Sequence, residues 1–322
     1  MFLAPDGDEI EITNAAADFI GEVMPIERLH APGSADMNAD LRRQFGEMGW
    51  FALALPEEKG GSGLSTVEHT LFFREAGRSC GPVDLLAQSL ATFVADDDLR
   101  PALIAGEQGV ALAVKDGGRI RLLGSPEASF ALEVSEEGAR LFAVADLAGQ
   151  ARPSLDPATS MQIAEPGLAP IAEISGDQVW RLGQLGTAAM LIGVAEAALD
   201  LIVDYAKVRE TFGRKIGAYQ AVRHPCADMA LRAETARCQL WFAATAIKEG
   251  REDATVHLHA AKHLANQAAL ANADSNIQLH GGIGVTDEHN AHLLLKHAML
   301  LGKIFGSKRA LLARLLDARV ED

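Results

Sequence analysis

A chain of 322 residues that is 48% hydrophobic but only 5% aromatic can bury a large core, and its Ala- and Leu-rich balance suits packed helices better than a large β-sandwich. A net charge of −15 excludes nucleic acid or an anionic membrane surface as the main partner, so a phosphorylated ligand would need a local basic patch. The three cysteines, Cys80, Cys226 and Cys238, show neither a C-x-x-C pair nor zinc spacing, which fits free thiols in a reducing compartment. The N-terminal M-F-L-A-P-D-G-D-E carries no basic segment followed by an apolar core, and the most apolar run, Leu185 to Ala195, is interrupted by Glu196. The expectation is a cytoplasmic protein without a membrane partner.

Residues 9–30 read as an amphipathic helix with Ile12, Ala16, Phe19, Ile20 and Val23 on one face and Thr13 or Asn14 as its cap. A second helix begins over Asn38 to Gly46, and Gly49-Trp50 leads into a short apolar run, Phe51 to Leu55. Pro56 ends that run and Gly60, Gly61 and Gly63 make the following turn. Thr66 to Gly77 and Val83 to Val94 restore helical periodicity, and Asp96-Asp97-Asp98 reads as a connector or a helix start. Residues 1–108 thus form an α-helical unit.

The texture then changes to alternation. Val110 to Val114, Arg119 to Leu123, Phe130 to Ser135, Arg140 to Ala145 and Met161 to Ala164 read as five short strands separated by turn residues. They make a reduced β domain over 109–172, too small to stand without its neighbours. From 173 to 322 the pattern is helical again, with four Ala-rich amphipathic segments near 178–210, 218–248, 253–280 and 288–317 that pack as an antiparallel bundle. Asp228-Met229 is expected inside it. His259 and His263 stand at i,i+4 without a third ligand, so no metal site is expected; His280, His289, His292 and His297 read as capping or surface residues.

The corner between the first two bundle helices carries Arg209, Thr211, Arg214 and Lys215 beside Gly213 and Gly217, a helix–turn–helix phosphate clamp in which Arg offers a bidentate fork. That corner, R-E-T-F-G from Arg209 to Gly213, is followed by a helix opening on Gln220 and then by A-D-M. It strongly resembles the R-x-T-F-G motif of the acyl-CoA dehydrogenase family. Q-L-H-G-G-I-G-V-T-D-E, from Gln278 to Glu288, is similar to the same family's Q-x-x-G-G-x-G-[YF]-x-x-E signature, and P-E-E-K-G-G-S-G, from Pro56 to Gly63, to its P-E-x-x-G-G-x-G. The resemblance covers nearly the whole chain and is thinnest across the β domain.

The resemblance implies a mainly α fold: an N-terminal helical domain, a small middle β domain and a C-terminal four-helix bundle. It implies FAD, held between the β domain of one subunit and the bundle of its neighbour. Arg209, Thr211, Phe212 and Gln220 match the element that reaches the neighbour's FAD pyrophosphate and adenosine half. Gln278, Gly281 and Gly282 match the second such element, where glycines let backbone N–H groups approach phosphate closely.

Two family features are missing. Where the family carries T-E-P-x-x-G-S-D to hold the flavin ring, this chain reads Ala113-Val114-Lys115-Asp116-Gly117-Gly118, and no W-[IV]-[ST]-N-A stretch follows. The two places where the family puts its catalytic carboxylate fall at or near Gly183 and on Phe305, so no catalytic residue is assigned. The resemblance therefore points to the FAD-completing subunit of an α2β2 acyl-CoA dehydrogenase, of the kind that acts on CoA thioesters of steroid side chains. The expected partners are a catalytic dehydrogenase subunit, an acyl-CoA and an electron acceptor. A self-sufficient homo-oligomer using another carboxylate, such as Glu173 or Asp177, and a flavin-free scaffold subunit remain the alternatives.

Overall fold

The computed structural model describes residues 5–31, 37–147, 149–165 and 169–318. The first helix, α1 (Gly7–Val23), is closed by a capping box: the Asp6 carboxylate accepts from the Glu9 N–H and the Glu9 carboxylate from the Asp6 N–H. The cap is therefore Asp6; Thr13 lies inside the helix and donates its hydroxyl to the Glu9 carbonyl. Asn38 caps α2 (Ala39–Glu47), and Ser65 with Glu68 forms a second capping box on α3 (Thr66–Arg78). Helix α4 (Val83–Val94) is buried along its whole length. The acidic run is a helix start: Asp96 accepts from the Leu99 N–H at 2.9 Å and Asp97 pairs with Arg100 ahead of α5 (Arg100–Ile104).

Among the described residues the middle sheet has seven strands rather than five. These are β1 (Val110–Asp116), β2 (Arg119–Leu123), β3 (Phe130–Val134), β4 (Gly138–Ala143), β5 (Gln150–Arg152), β6 (Met161–Ala164) and β7 (Ala172–Ser175), in the order β5-β6-β2-β1-β3-β4-β7. Only β1 and β3 run parallel. The two unforeseen strands, β5 and β7, are three- and four-residue edge strands. Such short edges carry too little alternation to read in sequence, and their ladders come from β6 and β4. Strand β7 also crosses the expected boundary at 172/173. Leu112, Leu132 and Leu141 turn into the core shared with the helices, while Ala111, Ala113, Ala131 and Phe142 build a small second core on the opposite face.

The bundle is made of α6 (Gln178–Val208), α7 (Gln220–Lys248), α8 (Ala254–His280), α9 (Ala291–Leu301) and α10 (Lys308–Asp317). The fourth expected helix is thus two, broken over 302–307, where Phe305 has φ 50° and Gly306 φ 115°. Helices α3 and α6 touch backbone to backbone. A Cβ on Gly77 would lie 2.0 Å from the Met190 carbonyl oxygen, and one on Gly193 would lie 2.1 Å from that of Arg74.

Among the described residues, α6 is the one helix long and apolar enough to cross a membrane; 72% of its most apolar window is buried within the fold. Glu196 does not interrupt it. Its carboxylate is held by Arg74, Arg78 and Arg237 at 2.7, 3.5 and 3.4 Å, so the charge is buried with partners from α3 and α7. Met229 is buried as expected, whereas Asp228 is exposed. His297 is not a surface residue: it is fully buried, with Nδ1 2.8 Å from the equally buried Asp156 of the sheet domain. His280 is buried as well.

Candidate functional site

Helix α6 ends at Val208 with Arg209 as its cap, and the chain turns through a two-residue hairpin, β8 (Glu210–Thr211) against β9 (Arg214–Lys215). The corner is a hairpin rather than a plain helix–turn–helix. Thr211 pairs with Arg214, which leaves Phe212 (φ 47°) and Gly213 (φ 78°) as its tip. A left-handed phenylalanine is uncommon, and this one is 93% exposed. The four candidate clamp residues separate in role. Lys215 is paired with Glu210 at 2.8 Å, and the Arg214 guanidinium sits 5.3 Å from the centre of the Tyr219 ring. Tyr219 in turn donates its hydroxyl to the Thr211 carbonyl at 3.0 Å. Arg209 is exposed and, among the described residues, makes no ion pair. Gln220 is the first residue of α7 and is also exposed.

The second motif comes to the same end of the bundle. The Tyr205 ring, one turn before Arg209, packs 4.5 Å from the ring of His280, the last residue of α8. Gln278 is exposed, Gly281 ends the helix at φ 65°, and no atom lies within 4 Å of a Cβ built on Gly281 or Gly282. The backbone there is open to a ligand that needs close approach. All seven sequence-assigned residues therefore gather on one outward edge, flanked by exposed Val208, Ile283 and Val285. Beside the hairpin lies a groove of about 400 Å³ whose basic lining includes Lys207 and Arg223 along with Lys215. The sequence reading missed Lys207 and Arg223, and the clue was their position one turn either side of the motif.

A second cavity, about 410 Å³, lies between β1, β3 and the bundle. Phe305 lines it, and its ring faces Gly183, which is buried and does not. A Cβ on Gly183 would be 2.2 Å from the Phe305 ring, and Trp180 packs against the same ring at 5.4 Å. The carboxylates that border the cavity are committed elsewhere. Glu133 accepts from Lys115 at 3.1 Å and also pairs with Arg140. Glu136 pairs with Arg314 at 2.5 Å, and the Ser135 side chain holds the Glu137 carboxyl below its ordinary range. Asp177 pairs with Arg181 at 2.8 Å and Glu173 is exposed on β7; neither lines the cavity. A residue that sequence reasoning missed, His69, is fully buried under this turn of α6. Its Nε2–H donates to the Leu182 carbonyl at 3.2 Å, and burial pushes its pKa down to about 4.

The residues thus fit the two halves of an FAD site unequally. The outward edge offers an unpaired guanidinium and open glycine backbone to a pyrophosphate. The inner cavity offers an aromatic wall of Trp180 and Phe305 and no carboxylate free of a partner among those described.

Comparison with known proteins identifies the family. Residues 6–97 match the model of the acyl-CoA dehydrogenase N-terminal domain, and residues 181–318 match that of the C-terminal domain. Over 88% of its length the chain is 34% identical to the acyl-CoA dehydrogenase FadE34 of Mycobacterium tuberculosis, but it spans only 42% of that protein. It is 32% identical to the acyl-CoA dehydrogenase IpdE2 of the same organism, covering 84% of this chain and 83% of IpdE2. In fold it is similar to the ChsE4-ChsE5 complex from Mycobacterium tuberculosis, with a TM-score of 0.82 at 22% identity over 99% of this chain and 100% of that one. By both domain models and by its likeness to IpdE2, the chain belongs to the acyl-CoA dehydrogenase family.

Proposed function

We propose that the chain is the FAD-completing subunit of a heteromeric acyl-CoA dehydrogenase that carries out α,β-dehydrogenation of an acyl-CoA thioester in the cytoplasm. The observation that carries this reading is Phe305 filling the space over Gly183: both places for a base are occupied by groups that take no proton. The α-proton must then leave to a carboxylate of the partner subunit. FAD, when bound, supplies the hydride acceptor. The chain's own work is binding and orientation. Arg209 would hold the pyrophosphate of a flavin bound with its ring in the partner, Gly281 and Gly282 would offer it backbone N–H groups, and Gln220 and Gln278 would serve its adenosine half. Thr211 shapes the hairpin and Phe212 anchors it in the partner.

Two comparisons support a partner. More than half of FadE34 lies outside the matched region, room for a second unit of this size, and ChsE4-ChsE5 is itself a two-component complex. The CoA thioester of a steroid side chain is the acyl group to which the resemblance points. Co-expression with the neighbouring reading frame, followed by light scattering and flavin absorbance, tests the proposal. The expected result is an α2β2 assembly with two flavins, and a chain that alone is colourless and inactive. A yellow, active homo-oligomer overturns it, and so does a colourless complex.

A further inference from the structure

The loop that carries Gly281 and Gly282 is closed on itself by two imidazoles. His280 ends α8 and His289 stands just before α9, and their rings meet 4.4 Å apart across residues 281–288. The loop doubles back on the helix end: a Cβ on Gly284 would lie 2.7 Å from the Ile277 carbonyl oxygen and 2.9 Å from the His280 Cβ. Inside it, the Thr286 N–H and hydroxyl both donate to the Ile283 carbonyl, at 3.1 and 2.8 Å, and the His289 N–H donates to the Thr286 carbonyl at 3.3 Å. On its other side His280 meets the Tyr205 ring at 4.5 Å, one turn of α6 before Arg209. Three rings in contact thus join the glycine loop to the hairpin that follows Arg209.

The hydrogen bonds require both imidazoles to be neutral. His280 Nδ1 lies 2.8 Å from the Asn276 carbonyl and must donate to it. Its Nε2 is buried and, among the described residues, has no partner, so a second proton there would have no acceptor. His289 Nδ1 accepts the Ala291 N–H at 3.1 Å, at the first residue of α9, so protonating it would set one N–H against another. The surroundings do not offset such a charge. Tyr205 presents an uncharged ring from α6, and Arg209 further along is a cation. His292 and His30 face His289, and Lys296 adds positive charge beside His292. Of the acidic groups, Asp287 and Glu288 are exposed and Glu27 accepts from Asn290 at 2.9 Å. His30 itself is taken up by the Asp287 carbonyl and Asn290, at 2.8 and 2.7 Å. Burial lowers the pKa of both His280 and His289, so both are neutral above pH about 6.5 and take up charge only as pH falls.

We propose that neutral His280 and His289 are positioning residues for the outward edge: their rings close the 281–288 loop and, through Tyr205, fix Gly281 and Gly282 relative to the Arg209 hairpin. The inference rests on the reading that this edge takes a flavin pyrophosphate. It also sets the sign of a pH effect. Acid charges the pair, breaks the Ala291 contact and loosens the loop, so it weakens cofactor binding. A histidine that met the phosphate as a cation would give the opposite sign, because charging it would strengthen binding.

Amide hydrogen exchange of the full chain tests the loop without any flavin. Protection over 281–290, corrected for the intrinsic exchange rate, should fall between pH about 7.5 and about 5.5, the range over which imidazole takes its charge. His289→Phe, which keeps a ring and takes no proton, should hold more of that protection at the lower pH than the wild type does. His289→Ala should be poorly protected at both. Should His289→Ala fail to fold, His289→Gln, which lacks the ring but can accept the Ala291 N–H, carries the comparison. Flavin titration of the co-expressed complex then reads the consequence. FAD affinity should drop roughly tenfold in His289→Ala at the higher pH, about what one lost hydrogen bond costs, and His289→Phe should restore it. Wild-type affinity should fall on acidification. Affinity that rises with acid, or a His289→Phe as weak as His289→Ala, overturns the positioning role in favour of a cationic one. Equal protection in all variants overturns the closed loop. Arg209→Ala separates the two proposals: a loss of FAD there with none in the histidine variants sinks this inference alone, while no loss there faults the site, and exchange still decides the loop.

Discussion

The Phe305 ring occupies the volume that a side chain at Gly183 would need, with a built Cβ 2.2 Å from the ring. Gly183→Ala therefore sets two effects against each other. Helix propensity favours Ala by about 1 kcal/mol, while forcing a methyl into a packed ring costs about 1–3 kcal/mol. In the wild-type background the substitution should be neutral to destabilising; in a Phe305→Ala background it should stabilise. Urea denaturation of the four chains reads this change of sign as a coupling energy. Additive effects would mean that the two residues do not meet in solution.

Phe212 sits at φ 47° with its ring in solvent, so within the isolated chain it carries strain without burial. Phe212→Gly should raise the stability of the chain by about 1 kcal/mol, the cost of a left-handed residue. The same change should weaken assembly with the partner by about 2 kcal/mol or more, as expected for an aromatic anchor. Denaturation of the free chain and light scattering of the complex measure the two signs. Unchanged assembly would leave the exposed ring without a role.

Arg209→Ala should lower FAD affinity of the complete complex by roughly ten- to hundredfold, the equivalent of about 1.5–3 kcal/mol for a charge-assisted bond to phosphate. Assembly should survive, because Arg209 is solvent-exposed in the chain and its hairpin is fixed by the Tyr219–Thr211 bond. Flavin titration of the purified complex decides it. Arg214→Ala makes a comparison, since its guanidinium is engaged with Tyr219.

Acid should destabilise the fold through histidine before carboxylates titrate. Burial lowers the His69 pKa to about 4, below its value of about 6.5 in an unfolded chain. Between those values the unfolded state binds the extra proton, so stability is intact above pH 6.5 and falls as pH drops towards 4. The loss from His69 alone is on the order of 3 kcal/mol. His259, His263, His280, His289 and His292 are lowered by burial in the same direction. His69→Gln, which keeps a donor for the Leu182 carbonyl, should flatten the slope measured by thermal unfolding from pH 7 to 4. An unchanged slope would assign the effect to the other histidines.

Long helices and the motif at their ends were legible because their determinants are local. The bounds of α4 read directly from periodicity, and Gln220 opens α7 where the motif placed it. What escaped depends on neighbours distant in sequence. Strands β5 and β7 exist because β6 and β4 offer unpaired edges. Glu196 looked like an interruption of an apolar run until three arginines from two other helices surrounded it. His297 and Asp156 are 141 residues apart, and nothing local distinguishes them from surface residues. At the site, Gly183 and Phe305 were legible as substitutions, but their mutual contact belongs only to the folded chain.

The Asp156–His297 pair also ties the middle sheet to the helices from within. The carboxylate comes from the β5–β6 connection and the imidazole from α9, both wholly buried. Arg28, from the N-terminal helices, spans to the Ser79 and Cys80 carbonyls at 2.7 Å, within the field of the same aspartate. Deleting the sheet would strand a buried imidazole and unbalance a buried guanidinium. The three regions share this buried polar junction, so loss of the sheet is expected to destabilise the helices on both sides of it.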